Sequence, residues 1–320
     1  MRVFALLILL TGSAFSFAEQ QSLSGQGWYQ RMVDEAPKVN YKGVFIHQAG
    51  DQSQSVEIVH GEHDGQIHER MLHLDGPARE VIRQGEELIC VYPNGKVEKL
   101  NARQASPFNR SNLGAVEQLE QGYEFALQES HRVAGREAVL LQLIPRDKFR
   151  HGYRLWLDAQ SAVPLRTELV DVSGRILERF QFSHFQLLPG FDDTAFAASI
   201  KKMPEQEPVA AEPEKASEEN NTAVAWKLNW LPSGFMLTQG SSEDSISNQH
   251  RRMYSDGVVM FSVFVDDEHT TMPDGNQRIG ATSVSVHHKQ WLGQVRRITV
   301  VGELPQEATQ RLAHSVELMQ

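Results

Sequence analysis

Val56-Glu57-Ile58-Val59-His60-Gly61-Glu62-His63-Asp64-Gly65-Gln66-Ile67-His68-Glu69-Arg70-Met71-Leu72-His73-Leu74-Asp75-Gly76-Pro77-Ala78-Arg79-Glu80-Val81-Ile82 spells strand, turn, strand, turn, strand. Apolar residues recur at a two-residue period, as a half-buried strand requires. Asp64-Gly65 and Asp75-Gly76 tolerate positive φ and so close tight hairpins. Outward from this stretch the pattern repeats. Val44/Ile46, Leu88 to Tyr92, Val139/Leu141/Leu143, Tyr153/Leu155/Leu157 and Phe180/Phe182 read as further strands, with Asn94-Gly95 and Ser173-Gly174 as turns. The expected product is one large antiparallel sheet.

Two helical pieces accompany it. Trp28, Met32 and Val33 fall at helical spacing until Pro37 ends the pattern, and Val116 with Leu119 marks a short insert near 113–119. These are too little to cover eight or more strands, so the sheet is expected to curve into a partly open barrel around an apolar concavity.

Three boundaries follow from composition. Residues 1–18 read as an export signal: Arg2, the apolar run Val3 to Leu10, and Ser16-Phe17-Ala18 before Glu19. The run is far short of the ~20 residues that cross a bilayer. Residues 201–225, with Pro204, Pro208, Pro213, six Glu and three Lys, read as a solvated linker. It separates a sheet domain at 19–200 from a compact α+β domain at 226–320. In the latter, Val258 to Val265, Ala281 to His287 and Val295 to Val301 read as strands, Asp256-Gly257 as a turn. Pro305 opens a closing helix carrying Ala308, Leu312, Val316 and Met319. The fold class expected is α+β, mostly β.

Losing Arg2 with the signal takes the formal charge from −10 to −11, which argues against nucleic acid as a partner. The one cysteine, Cys90, excludes an internal disulfide and sits in an apolar run, where a small buried hydrophobe is expected. No phosphate loop, His-Glu-x-x-His helix or Gly-x-Ser-x-Gly elbow occurs. His60, His63, His68 and His73 lack a fixed ligand spacing and read as half-exposed sheet residues rather than a metal site. His287-His288 are neighbours pointing to opposite faces of a strand. No cofactor and no catalytic residue is expected.

Two features point to binding. Phe45, Trp156, Phe180, Phe182 and Phe185 lie in the large sheet, where they either line a groove for an acyl chain or apolar peptide or fill core. The first four are the groove candidates. Arg251-Arg252 and Arg296-Arg297 flank strands of the small domain and could offer one fork each to a carboxylate or phosphate of a partner; the alternative is solvated edge charge.

Longer stretches carry a resemblance. Tyr41-Lys42-Gly43-Val44-Phe45-Ile46-His47, Glu69-Arg70-Met71 through Leu74-Asp75-Gly76-Pro77-Ala78-Arg79-Glu80-Val81-Ile82-Arg83, and Tyr153-Arg154-Leu155-Trp156-Leu157-Asp158 with Pro164-Leu165-Arg166-Thr167 resemble the RseB/MucB family of sigma-E regulators. So do Leu231-Pro232-Ser233-Gly234-Phe235, His250 to Val265, Gly280-Ala281-Thr282-Ser283 and Val300-Val301-Gly302-Glu303-Leu304-Pro305. The resemblance implies a non-enzymatic periplasmic regulator that binds the periplasmic domain of a membrane-spanning anti-sigma factor (RseA/MucA-like) and shields it from the site-1 protease. It implies a large domain similar to the lipoprotein carriers of the Lol system, and relief of the block by lipid or lipopolysaccharide. It leaves a homo-oligomer open. The rival expectations are a plain lipid or lipoprotein carrier and a secreted hydrolase.

Overall fold

The computed structural model describes residues 23–319 except 78, 93–95, 102–114, 193, 197–224, 239–250 and 268–272. The export signal at 1–18, the Asn94-Gly95 turn and all of the 201–225 linker but Ala225 therefore lie outside the described residues.

The first helix, α1 (Gly25–Glu35), starts at Ser24, whose hydroxyl accepts from the Gly27 N–H at 3.2 Å. It ends where Ala36–Lys38 tightens into a 3-10 turn around Pro37. Its buried face, Trp28, Tyr29 and Met32, is the one the spacing predicts.

Eleven strands then form one antiparallel sheet: β1 (Tyr41–Ala49), β2 (Gln52–His63), β3 (Gln66–His73), β4 (Glu80–Gln84), β5 (Glu87–Val91), β6 (Val97–Asn101), β7 (Tyr123–Val133), β8 (Arg136–Pro145), β9 (Gly152–Asp158), β10 (Pro164–Val170) and β11 (Ile176–Leu187). The order is β6-β5-β4-β3-β2-β1-β11-β10-β9-β8-β7. The sheet is thus two meanders joined back to back by the β1–β11 pair, with Tyr41 opposite Leu187. Its two outermost strands, β6 and β7, do not pair, so the sheet stays unclosed. A short helix, α2 (Val116–Leu119), precedes β7.

Local chemistry sets these hairpins. Asp64 and Gly65 take φ of 51° and 77°, the mirror-turn geometry that continues the strand twist between His63 and Gln66. The Ala134-Gly135 turn between β7 and β8 has φ of 50° and 79°. An alanine there gives no sequence signal, and β7 itself escapes the periodicity reading, as do β6 and β10.

The C-terminal part has β12 (Trp226–Leu228), β13 (Met236–Leu237), β14 (Arg251–Ser255), β15 (Met260–Asp267), β16 (Gly275–Ile279), β17 (Thr282–Trp291), β18 (Gln294–Gly302), α3 (Gln306–Ser315) and β19 (Val316–Leu318). Six of the strands form a sheet in the order β13-β14-β15-β18-β17-β16; β12 and β19 pair separately. The closing helix is shorter than its spacing predicts. It stops at Ser315, whose hydroxyl turns to Trp230 O at 3.3 Å and Leu312 O at 2.9 Å. Val316 and Leu318 are buried at a period of two, facing β12 rather than extending the helical stripe.

The two sheets are not separate cores. Trp28, Tyr29, Leu141, Tyr153 and Leu169 belong to the same buried cluster as Trp226, Phe235, Phe261 and Leu312. Among the described residues no helix is long and apolar enough to cross a membrane.

Candidate functional site

Pairing register decides which side chains meet. Phe45 lies opposite Phe182 and Val56, His47 opposite Phe180, Met71 opposite Val81, and Val81 opposite Cys90. Alternation along each strand then puts these residues on one face. All of them but Phe182 line a cavity of about 490 Å³, whose wall takes Phe45, Val56, Met71, Val81, Cys90 and Phe180 from the first meander and β11. Thr167 and Leu169 on β10 and Tyr153 on β9 line it from the other arm. One cavity touching both arms requires the sheet to bend around it, as the deficit of covering helices predicts.

Of the four groove candidates, Phe45 and Phe180 line the cavity, their rings 4.0 Å apart. Phe182 is 2% exposed and sits behind them, 5.9 Å from Phe45 and 5.6 Å from Phe180. Trp156 is not in the lining. It pairs with Arg166 while Leu155 pairs with the cavity residue Thr167, so its indole faces the other way, under the Arg166 guanidinium at 4.2 Å.

Charged groups sit at two places around this apolar wall. On β3 and β4, Arg83 reaches Glu69 at 3.5 Å, and Glu69 meets His60 Nδ1 at 3.0 Å. Burial works to raise the Glu69 carboxyl, but His60 and Arg83 hold it below the ordinary value. Arg79 donates to His73 at 2.8 Å, and burial followed by Arg79 lowers the His73 imidazole. At the other place stand Glu178 on β11 and, from the C-terminal part, Val258 and Glu303. Cavity and seam therefore share a wall.

That seam is built on the loop between β8 and β9. Arg150 is fully buried. Its Nη1 donates to Asp256 Oδ2 at 2.8 Å, and its Nη2 donates to Ser233 O at 2.6 Å and Asp147 Oδ2 at 2.9 Å. The guanidinium lies between the rings of Tyr123 and Phe235, 5.3 and 5.2 Å away. Gly122 passes so close that a β-carbon there would stand 1.8 Å from Arg150 Nη1. Around this centre Gln118 donates to Gly234 O and Ser255 O, Arg311 covers Trp230 and Phe149, and Lys148 pairs with Glu307.

His151, beside Arg150, is buried against Ala281, and burial pushes its imidazole down to about 4 despite Asp171. Arg278 works in the same direction as burial, and Glu178 against it. The unfolded chain takes up this proton near the usual ~6.5, so between there and about 4 the unfolded state binds more protons than the folded one. Stability is then complete above the upper value and falls as pH drops toward the lower one. Between pH 7 and pH 4.5 the expected loss is about 2–3 kcal/mol. Chemical denaturation at pH 7 and pH 4.5 should show it, and His151→Gln should remove most of the difference between the two.

The sequence-derived arginines divide by strand alternation. Arg252 and Arg296 point inward: Arg252 is 5% exposed, donates to Trp226 O at 2.6 Å and stacks 4.3 Å over the Trp226 ring, while Arg296 is 4% exposed and donates to Gln294. Both are thereby committed inside the fold, a position unsuited to a partner's anion. Arg251 is exposed, and Arg297 is half-buried and pairs with Asp266 at 3.4 Å. Only this outward pair keeps the geometry of one fork each. Of the four clustered histidines, His60 is held by Glu69 and Pro37 O, His63 stacks on Phe191, His68 meets Phe191 edge-on, and His73 takes Arg79. Among the described residues no group of three or more His, Cys, Asp or Glu is arranged to hold a metal.

Arg79, Arg83, Glu178, Glu303 and Arg150 were not singled out by sequence reasoning. Register information could have found Glu178, two positions before Phe180 on one strand face. Nothing in the sequence marks Arg150.

Comparison with known proteins places this architecture. The family model described as the MucB/RseB N-terminal domain matches residues 24–206, and the MucB/RseB C-terminal domain matches 220–317. The chain is 33% identical over 317 residues to the sigma factor AlgU regulatory protein MucB of Pseudomonas aeruginosa, covering 97% of this chain and 96% of that one. It is 27% identical to the sigma-E factor regulatory protein RseB of Escherichia coli K12, with the same two coverages. Among solved structures, the Pseudomonas aeruginosa MucA/MucB complex superposes with a TM-score of 0.73 at 29% identity, covering 92% of this chain and 99% of that one. The structure of MucB in complex with MucA(peri) gives 0.70 at 29% identity, covering 92% and 98%.

Proposed function

The chain belongs to the MucB/RseB family of sigma-factor regulatory proteins, and from that membership we propose that it is a periplasmic lock on a membrane-spanning anti-sigma factor. In this reading residues 1–18 direct export and are removed, 19–200 and 226–320 are the two domains, and 201–225 connect them. The protein grips the periplasmic domain of a MucA- or RseA-like partner and covers it from the first protease, with no bond made or broken by its own residues. Complexes of a relative with MucA support the choice of partner. The outward arginines Arg251 and Arg297 are the proposed contacts in the C-terminal sheet.

The observation that carries the sensing half is the cavity behind Phe45 and Phe180. Its exposed wall is mostly apolar, it touches both arms of the sheet, and Arg79 and Arg83 stand among its lining residues beside Glu69, Glu178 and Glu303. That combination suits a lipid with an acyl chain and an anionic head, lipopolysaccharide included. A plain carrier would need only the first sheet. Val258 and Glu303 in the wall favour a site that both sheets read.

A lipid can relieve the block only if it binds the partner-free form more tightly than the partner-bound one. Titration of the full chain with the partner's periplasmic domain should show affinity reduced about ten-fold or more by saturating lipopolysaccharide, and cleavage of that domain by the site-1 protease should be slowed by the protein alone. Equal affinity with and without lipid would sink the sensing half. Cleavage at an unchanged rate would sink the lock.

A further inference from the structure

One carboxylate belongs to both the cavity and the seam. Glu178 lies two residues before Phe180 on β11, on the same strand face, and both line the cavity. Its Oε2 is 3.8 Å from His47 Nε2, another lining residue. Its Oε1 accepts the Ala281 N–H at 3.4 Å, across the seam in the C-terminal sheet. Gly280 and Ala281 are the two-residue turn between β16 and β17, with Gly280 at φ 61°. A β-carbon on Gly280 would stand 3.2 Å from the same Oε1. Ala281 is itself fully buried and is flanked by His151. The turn is therefore seated on Glu178 with little room to move.

We propose that Glu178 is the positioning residue through which an acyl chain in the cavity loosens the C-terminal sheet; this rests on the lipid-sensing reading above. The argument is one of solvation. His47 and the Ala281 N–H favour the charged carboxylate and hold its titration below the ordinary value against burial. An acyl chain laid against Phe180 strips water from that charge, and an apolar neighbour replaces none of the lost hydrogen bonds. Glu303, close by in the same wall, is of like charge and gives no compensation; burial and Glu178 both raise its carboxyl. The carboxylate relaxes by turning toward His47 and the remaining water or by taking up a proton, and either move weakens its hold on Ala281. Chain in the cavity and turn on Glu178 thus oppose each other, which is a negative coupling between two sites.

Amide exchange of the full chain tests this, with sodium palmitate below its micelle concentration as the probe. Cys90, in the cavity wall, reports occupancy by its protection from a thiol reagent. Palmitate should protect Cys90 and speed exchange of the Ala281 amide about ten-fold, the scale of one lost hydrogen bond. Glu178→Gln keeps an acceptor oxygen without the charge, so its Ala281 amide should stay slow and should not respond to palmitate. Glu178→Ala should exchange fast with or without it. Protection of Cys90 with Ala281 unmoved, or a Gln variant responding like the parent, overturns the coupling while leaving the cavity reading intact. Cys90 unprotected at every concentration overturns the cavity reading itself, and the coupling with it.

Discussion

Arg150→Met should cost about 3–5 kcal/mol of folding stability, the largest loss expected from any single change at the seam. The guanidinium joins Asp256, Ser233 O and Asp147 with no exposed surface, and Asp256 itself is 1% exposed. Methionine fills much of the volume but leaves the buried Asp256 carboxylate without its guanidinium donor and removes the bond to the part-buried Ser233 carbonyl. The pair need not be worth that much in itself, because burying both charges has its own cost. A second substitution separates the two contributions. Arg150→Met with Asp256→Asn removes the stranded charge while keeping an Oδ1 acceptor for the Val258 and Val259 N–H groups, and should recover a large part of the loss. Urea denaturation of parent, single and double variants gives the coupling energy. A single-variant loss under about 1 kcal/mol would mean that the hydrophobic cluster alone holds the two sheets together.

The second large effect is on ligand rather than fold. Phe180→Asp places a charge in the apolar wall, 4.0 Å being the present ring distance to Phe45, and next-but-one to Glu178. An acyl chain then loses a ring face worth about 1.5–3 kcal/mol and must desolvate a second carboxylate. Acyl affinity should fall at least about 100-fold. Partner binding should survive, and lipid should no longer weaken it. The check is a titration of the partner's periplasmic domain by the variant, with and without lipopolysaccharide. A variant that still releases its partner on adding lipid would move the lipid site away from this cavity.

Legibility in the sequence followed the physics of each feature. Strands with a clean two-residue period and Asp-Gly or Ser-Gly turns were readable. β10 was not, because Glu168 is buried and sits among Arg154, Arg166 and Arg179, which breaks the apolar alternation with a charge network. The last turn of the closing helix misled because Val316 fits a helical stripe and a strand equally well until β12 supplies a partner. Of Phe45, Trp156, Phe180 and Phe182, for which the sequence left groove and core equally open, Phe45 and Phe180 line the cavity. Trp156 looked equivalent by type, and only the register with Arg166 separates it. Strand alternation requires one arginine of each adjacent pair to face inward but does not say which, so Arg252 and Arg296 could not be set apart from Arg251 and Arg297. The seam was invisible, since a loop arginine meeting an aspartate 106 positions later leaves no local trace.

The β1–β11 pair has a bearing on how the molecule is made. Tyr41 and Leu187 are neighbours in space, so the middle of the sheet is the last part of its first 190 residues that the chain can close. Each meander can zip locally from its own hairpins, whereas the central ladder waits for nearly the entire segment and bears the loop-closure entropy at once. Assembly should accordingly be slow and late. A nascent chain ending before Leu187 would lack the strand that unites the halves and remain loose enough to be threaded through a narrow passage.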